Sequence, residues 1–512
     1  MNAHQSQISM TGTKLTLLIA LALPAAMPAW ADVTLPSVFG SHMVMQRDAE
    51  LPVWGRADPG ETVIVNLGPQ ARTATADAKG NWKVRMGAMP AGGPHQMTVR
   101  GNNLIRFEDI LIGDVWICSG QSNMEWPVSR VNDGEREIAD ADFPEIRLFH
   151  VPRRPSGLPA LDVNAAWRVC APDMIGGFSA VAYFFGRELH EQLDVPIGLI
   201  NTSWGGTRIE PWTPVPGFAV VEATRPILQQ ISQADAQYRR SVRQALGKIE
   251  AWVSATHQAL AAGERLAPMP APEPHPLEDR GQPTGLYNGM VHPLVPFAIR
   301  GVIWYQGEAN RADGPAYAAK MEALIAGWRA VWQQGDFPFY FVQLAPFRYN
   351  GDPYLLPQIW EAQTAAMAVP NTGMAVVNDI ANLRDIHPRN KQDVGKRLAL
   401  WALAKTFGRE DLVYSGPLYR SMKVEGDRIH VRFNHVGGGL ASRDGQSLTF
   451  FEIAGADRRF VKAHAEIDGE AVVVWSDDVG DPVAVRFAWH QEAEPNLMNK
   501  EGLPASSFRS DR

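Results

Sequence analysis

Apolar residues run almost unbroken from Asp109 to Cys118 (Asp-Ile-Leu-Ile-Gly-Asp-Val-Trp-Ile-Cys), and the run ends in Ser119-Gly120-Gln121-Ser122-Asn123-Met124. A continuous apolar stretch of strand length predicts a strand buried on both faces of a parallel sheet, because a strand with one wet face alternates instead. Three later runs repeat the pattern. Val195 to Ile200 leads into Asn201-Thr202-Ser203-Trp204-Gly205-Gly206-Thr207, and Ala298 to Trp304 leads into Tyr305-Gln306-Gly307-Glu308-Ala309-Asn310. Gly373 to Ile380 is followed by Asp385-Ile386-His387-Pro388. Helical spacing appears between the first two, at Ser179 to Leu193, and after the last, at Lys391 to Thr406. Strands alternating with helices predict an α/β domain with a parallel sheet over about residues 107–408.

The flanks have a different rhythm. From Asp32 to Arg106, short alternating runs such as Thr62-Val63-Ile64-Val65-Asn66 and Trp82-Lys83-Val84-Arg85 sit between turns, which predicts a small β-sandwich. Residues 409–512 return to β character in Arg428 to Phe433 and Ala471 to Trp475. Residues 213–283 form an insertion. In it Ile227, Leu228, Ile231, Tyr238, Val242, Leu246, Ile249, Trp252 and Val253 recur at helical spacing, followed by a proline-rich connector from Ala267 to Pro283. Such a helix either packs on the enzyme's flank or forms a wall or lid of its cleft.

A chain of 512 residues has room for two or three domains. Residues 1–31 combine Lys14, an apolar core from Leu15 to Ala26 and the small-x-small site Ala29-Trp30-Ala31. That pattern predicts a secretory signal peptide and a periplasmic or secreted protein. A membrane anchor needs about 20 apolar residues, and this run is shorter and broken by Pro24 and Pro28. No membrane span is expected after its removal. The net charge of −7 gives no basic footprint for nucleic acid. Cys118 and Cys170 are the two cysteines; they pair in an oxidising compartment or, with Cys118 at a buried strand end, remain inert core thiols. Neither a His-Glu-x-x-His run nor paired Cys-x-x-Cys motifs occur, so neither a metal nor another cofactor is expected.

The four strand ends converge on acyl-transfer chemistry. Ligands of open α/β sheets bind beyond the carboxyl ends of the strands, which is where Ser122 falls. A serine hydroxyl becomes a nucleophile when a base takes its proton, and the base needs an acceptor behind it. His387 is the candidate base, with Asp385 two residues before it and Asp379 as the alternative orienting acid; a backbone carbonyl is a third option. His292, in Gly289-Met290-Val291-His292-Pro293, is the rival base but has no carboxylate within ten residues on its C-terminal side. Candidate oxyanion donors are the amides of Ser122, Gly205 and Gly206 and the side-chain amides of Gln306 and Asn310. Trp126, Trp204, Trp212, Tyr287 and Tyr305 flank the loops and offer ring faces to a sugar, though tryptophan more often packs in cores. Gln121, Asn123, Asn288 and Glu308 are further candidates for holding substrate, Glu308 alternatively bracing its own loop.

Five ordered blocks resemble the sialate O-acetylesterase family of the SGNH hydrolases. They are Gly120-Gln121-Ser122-Asn123-Met124, Ser203-Trp204-Gly205-Gly206-Thr207, Leu286-Tyr287-Asn288-Gly289-Met290, Trp304 to Asn310, and Ile386-His387-Pro388-Arg389-Asn390-Lys391. The resemblance implies an SGNH-hydrolase-like (flavodoxin-like) α/β/α sandwich flanked by small β-sandwich modules. It implies a serine carbohydrate O-acetylesterase with its catalytic histidine in the Ile-His-Pro block, and one glycine and one amide from these blocks in the oxyanion hole. Many SGNH enzymes place Asp three residues before this histidine; here position 384 is Arg. The substrate is expected to be an acetylated oligosaccharide or polysaccharide, either O-acetyl sialic acid or an acetylated hemicellulose such as xylan or xyloglucan. A general arylesterase or lipase, and a glycan-binding protein without catalysis, are the competing readings. The absence of Gly-x-Ser-x-Gly disfavours an α/β-hydrolase version of the former.

Overall fold

The computed structural model describes residues 32–511; the expected signal peptide, residues 1–31, lies outside the described residues. Seven strands cross the central sheet in the order Thr372–Ala375, Phe339–Val342, Gly301–Tyr305, Leu104–Gly120, Ile197–Ser203, Phe143–His150 and Trp167–Cys170. The first six are parallel neighbours and the seventh is antiparallel. The chain first fills one side of the Leu104–Gly120 strand, returning last to the adjacent Ile197–Ser203 position, and then builds outward on the other. The carboxyl end of that strand is therefore a topological switch point, where open α/β sheets open a crevice for ligands.

The same strand joins two modules. Its first half alternates in exposure and pairs antiparallel with Gly92–Arg100 in the N-terminal β module. Its second half is buried on both faces, as the apolar run Val115-Trp116-Ile117-Cys118 dictates. Position 106 thus falls inside one continuous strand shared by the N-terminal module and the central sheet.

Both faces of the sheet are covered by helices. Trp116 meets Phe185 of helix Ala180–Leu193 edge-on, with ring centroids 5.0 Å apart. Gly301 lies opposite Trp116 in register, so Trp304, three residues on, faces the other side. There it packs against Trp328 of helix Tyr317–Trp332. Ser179 caps helix Ala180–Leu193 by accepting from the Ala182 amide, and Asn390 caps helix Lys391–Trp401 by accepting from Asp393. These two helices approach so closely that a Cβ on Gly395 would lie 2.6 Å from that of Phe184. The α-helix expected over residues 391–406 ends at Trp401 and continues as one π turn, Ala402–Thr406.

One expected strand is shorter than its apolar run. Gly373 to Ile380 pairs only as far as Ala375. Beyond it, Arg397 donates to the Val376 carbonyl and Asn378 Nδ2 donates to the Ala505 carbonyl of the C-terminal module, so side-chain bonds hold the segment where sheet pairing stops. That C-terminal module holds two four-stranded antiparallel sheets around its own core of Ile429, Val431, Ile453, Val472, Val485 and Phe487. In the insertion, helix Arg225–Ala262 spans 38 residues and ends at left-handed Gly263. The connector runs back along it: Trp252 Nε1 donates to the Ala267 carbonyl and the Glu273 amide to Ser241. Only its base is anchored in a core, through Phe218, Val221, Ile231, Leu277 and Ala323.

Cys118 and Cys170 are both buried and unpaired. Burial raises the Cys118 thiol well above its usual range and pushes Cys170 up to about 12, which leaves both unreactive.

Gly120 ends the central strand at φ 143°, and a Cβ there would lie 2.2 Å from the Tyr305 carbonyl oxygen. Gly120→Ala is expected to destabilise the chain by roughly 1–3 kcal/mol from backbone strain alone. Equilibrium urea unfolding checks this, and an unchanged midpoint would contradict the close approach.

Candidate active site

At the carboxyl end of the central strand the chain turns sharply at Gly120 and enters a single helical turn, Ser122–Glu125. Ser122 is half-buried, and its hydroxyl and its amide have no hydrogen-bond partner among the described residues. Gly205 faces it: a Cβ on Gly205 would lie 3.2 Å from that of Ser122.

The neighbouring Asn123 joins three chain segments. Its Nδ2 donates to Glu308 Oε1 at 2.6 Å and to the Ile386 carbonyl at 3.0 Å, while its Oδ1 accepts from Lys391 Nζ at 2.6 Å. The residue after the serine therefore holds the residue before the histidine. Trp126, four residues beyond the serine, stacks on the His387 ring at 4.6 Å and 15°. His387 Nε2 is buried without a partner. Its Nδ1 lies 3.8 Å from Asp385 Oδ1, closer to an ion-pair contact than to a hydrogen bond, and that same oxygen accepts from the His387 amide at 2.9 Å. Burial depresses the imidazole's pKa; Lys391 adds to this and Asp385 opposes it. Neutral imidazole, the form a base needs, thus persists below its ordinary range.

Several sequence expectations change in this setting. Asp379 is engaged by the two terminal guanidinium nitrogens of Arg397, at 2.6 and 2.7 Å, so it does not orient His387. His292 Nδ1 is held by the Ala160 carbonyl at 2.8 Å, and the ring lies edge-on to Tyr287. The oxyanion set narrows as well. Gln306 Nε2 donates to Gln121 Oε1, the Thr207 carbonyl and Asn310 Oδ1, and Asn310 Nδ2 donates to Glu210 and Asp313. Both side chains are fully buried and brace the loops; neither has a donor left for an oxyanion. The Gly205 amide donates to Glu125 Oε2 at 2.8 Å, and Arg153 holds that carboxylate from the other side. Ser122 and Gly206 keep amides with no acceptor among the described residues.

The substrate-contact candidates divide by burial. Gln121 Oε1 accepts from Gln306, Gly307 and Ala309, and Asn288 Nδ2 donates to the carbonyls of Ser156 and Gly157. Tyr287 and Tyr305 are buried, and Trp212 packs edge-on against Trp304, so these three rings belong to the core. Asn123 and Glu308 join each other rather than facing a ligand. Trp126 and Trp204 remain half-exposed beside Ser122 and Gly205. Sequence reasoning missed Lys391 and Glu125. Lys391 closes the block that contains His387, yet its position as first residue of a helix gave no sign of burial.

Known proteins match this chain over most of its length. The family model for carbohydrate esterase, sialic acid-specific acetylesterase, matches residues 278–404. The rat sialate O-acetylesterase is 33% identical over 429 residues, covering 76% of each chain. The chain belongs to the sialate O-acetylesterase family. The human sialate O-acetylesterase is 31% identical across 80% of this chain and 78% of that one. A carbohydrate acetylesterase from Xanthomonas citri has a solved structure that superposes with a TM-score of 0.79 at 37% identity, covering 94% of this chain and 100% of that one. As a family member the chain is a carboxylic ester hydrolase acting on acetylated carbohydrate. Among the described residues no helix is long and apolar enough to cross a membrane.

The two aspartates are expected to separate by experiment. Asp379→Asn leaves buried Arg397 without its counter-ion and is expected to cost about 3 kcal/mol or more in urea unfolding. Asp385→Asn, at a half-exposed loop acid, is expected to leave stability within about 0.5 kcal/mol. It removes an anion beside His387, so the acid limb of the kcat/KM profile should move to lower pH. Equal losses of stability, or a limb that moves upward, would contradict this division.

Proposed function

We propose that Ser122 attacks the acetyl carbonyl of an O-acetylated sugar, with His387 as the base that takes its proton. The observation that carries this reading is the Asn123 to Ile386 bond, which ties the serine turn to the histidine loop while His387 Nε2 remains buried and without a partner. The buried nitrogen has only one kind of group to serve, a hydroxyl or leaving oxygen that arrives beside it. The amides of Ser122 and Gly206 then face the developing oxyanion, where one such donor is worth about 10²–10³ in turnover. His387 returns its proton to the departing sugar oxygen. Water, deprotonated by the same imidazole, releases acetate from the acetyl-enzyme. Asp385 acts on the imidazole through charge at 3.8 Å rather than through a short hydrogen bond.

Trp126 and Trp204 supply half-exposed ring faces for the sugar. The multi-module layout supports an acetylated oligosaccharide or polysaccharide, and the leader-like residues 1–31 support export to the periplasm or beyond. Ser122→Ala is expected to abolish acetate release from O-acetyl sialic acid, acetylated xylan and acetylated xyloglucan alike, with the unfolding midpoint retained. Turnover by that variant would overturn the nucleophile. In the wild-type chain, the highest kcat/KM is expected on an acetylated hemicellulose; a higher value on O-acetyl sialic acid would reverse the substrate assignment.

A further inference from the structure

We propose that Lys391 is a positioning residue for ester hydrolysis: through the Asn123 amide it fixes where the His387 loop stands relative to Ser122. The proposal rests on Ser122 and His387 being nucleophile and base. Lys391 opens helix Lys391–Trp401, four residues after His387, and its side chain is completely buried. Its ammonium meets Asn123 Oδ1 and lies over the Tyr305 ring, 5.5 Å from the centroid. Asn123 turns its two N–H groups the other way, to Glu308 and to the Ile386 carbonyl. With the oxygen held by Lys391, the amide has one orientation in which all its bonds are made. Rotating it by half a turn would set its NH2 group against the ammonium and its oxygen against a carboxyl and a carbonyl.

Stability alone is a poor reason for this arrangement. A buried ammonium pays a desolvation cost that a methionine of similar volume would avoid. Burial drives both ionisable ends towards neutrality, the Lys391 ammonium down to about 7 and the Glu308 carboxyl upward, and Glu308 Oε2 is left buried without a partner. The charged groups facing Lys391 are Glu308 and Asp385; those facing His387 are Asp385, Lys391 and Arg130. Lys391 thus acts on the imidazole twice, through the Asn123 strut and as a neighbouring cation. A merely structural lysine would do neither.

The test uses the full chain and p-nitrophenyl acetate, with kcat and KM measured from acid to alkaline pH alongside thermal unfolding. Lys391→Met is expected to lower kcat about 10²-fold, the loss that a small misplacement of reacting groups brings, with KM little changed. Its acid limb should move to higher pH, because a cation that depresses the imidazole's pKa has gone. Lys391→Gln, which donates to Asn123 Oδ1 without charge, should recover most of kcat while keeping the displaced limb; it decides the matter if the methionine variant does not fold. Wild-type kcat in Lys391→Met, or an unmoved acid limb in either variant, would overturn the proposal. Ser122→Ala in the same assay separates the two readings: if it is inactive while Lys391→Met matches wild type, only the role of Lys391 falls; if it turns over, the nucleophile assignment falls.

Discussion

One side-chain amide ties the loops of the candidate site together. Among the described residues, Asn123 in the serine turn is the side chain that hydrogen-bonds both Glu308 and the Ile386 carbonyl of the histidine loop, while accepting from Lys391. These loops come from residues near 120, 308 and 386, and no sheet pairing fixes their tips relative to one another. Sheet geometry brings strand ends to the same edge; it does not by itself fix the serine turn against the histidine loop. That last adjustment falls to hydrogen bonds in a dry environment, where an unmade bond is costly and the made ones therefore hold.

The layers beneath make that adjustment possible. The Leu104–Gly120 strand is anchored at one end in the N-terminal module and at the other between two parallel neighbours, so the turn it delivers cannot drift. The Gln121, Gln306 and Asn310 amides knit the loops behind Ser122 into a closed network with Tyr317 and Glu210. From the opposite side, the C-terminal module bonds Asn378 and, through Arg443, the Asp379 carbonyl. Three modules thus converge on loops that sequence order keeps far apart.

Much of this was legible in the sequence. The unbroken apolar runs marked the central strands, because burial on both faces leaves no room for alternation, and the polar residues after each run marked the crevice. The histidine block was separable from His292 by its nearby carboxylates. What could not be read was who accepts from whom. Gln306 and Asn310 carry the donors an oxyanion hole needs, and only the folded chain shows those donors already engaged. Tyr287, Asn288 and Tyr305 stand in the right blocks yet point into the core. Asp379 and Asp385 look alike along the chain; Arg397, 18 residues further on, separates them. A lysine opening a helix reads as a solvated charge, and nothing local announces that Lys391 is enclosed.

If Asn123 holds nucleophile and base in register, diethyl p-nitrophenyl phosphate should modify Ser122 much faster in wild type than in Asn123→Ala. That reagent needs an activated serine but no sugar contacts, so it reports the Ser122 and His387 pair alone. The rate should fall by about 10² or more in the variant, in the range that a positioned general base contributes. A rate within a few-fold of wild type would show that the two loops keep their places without the amide.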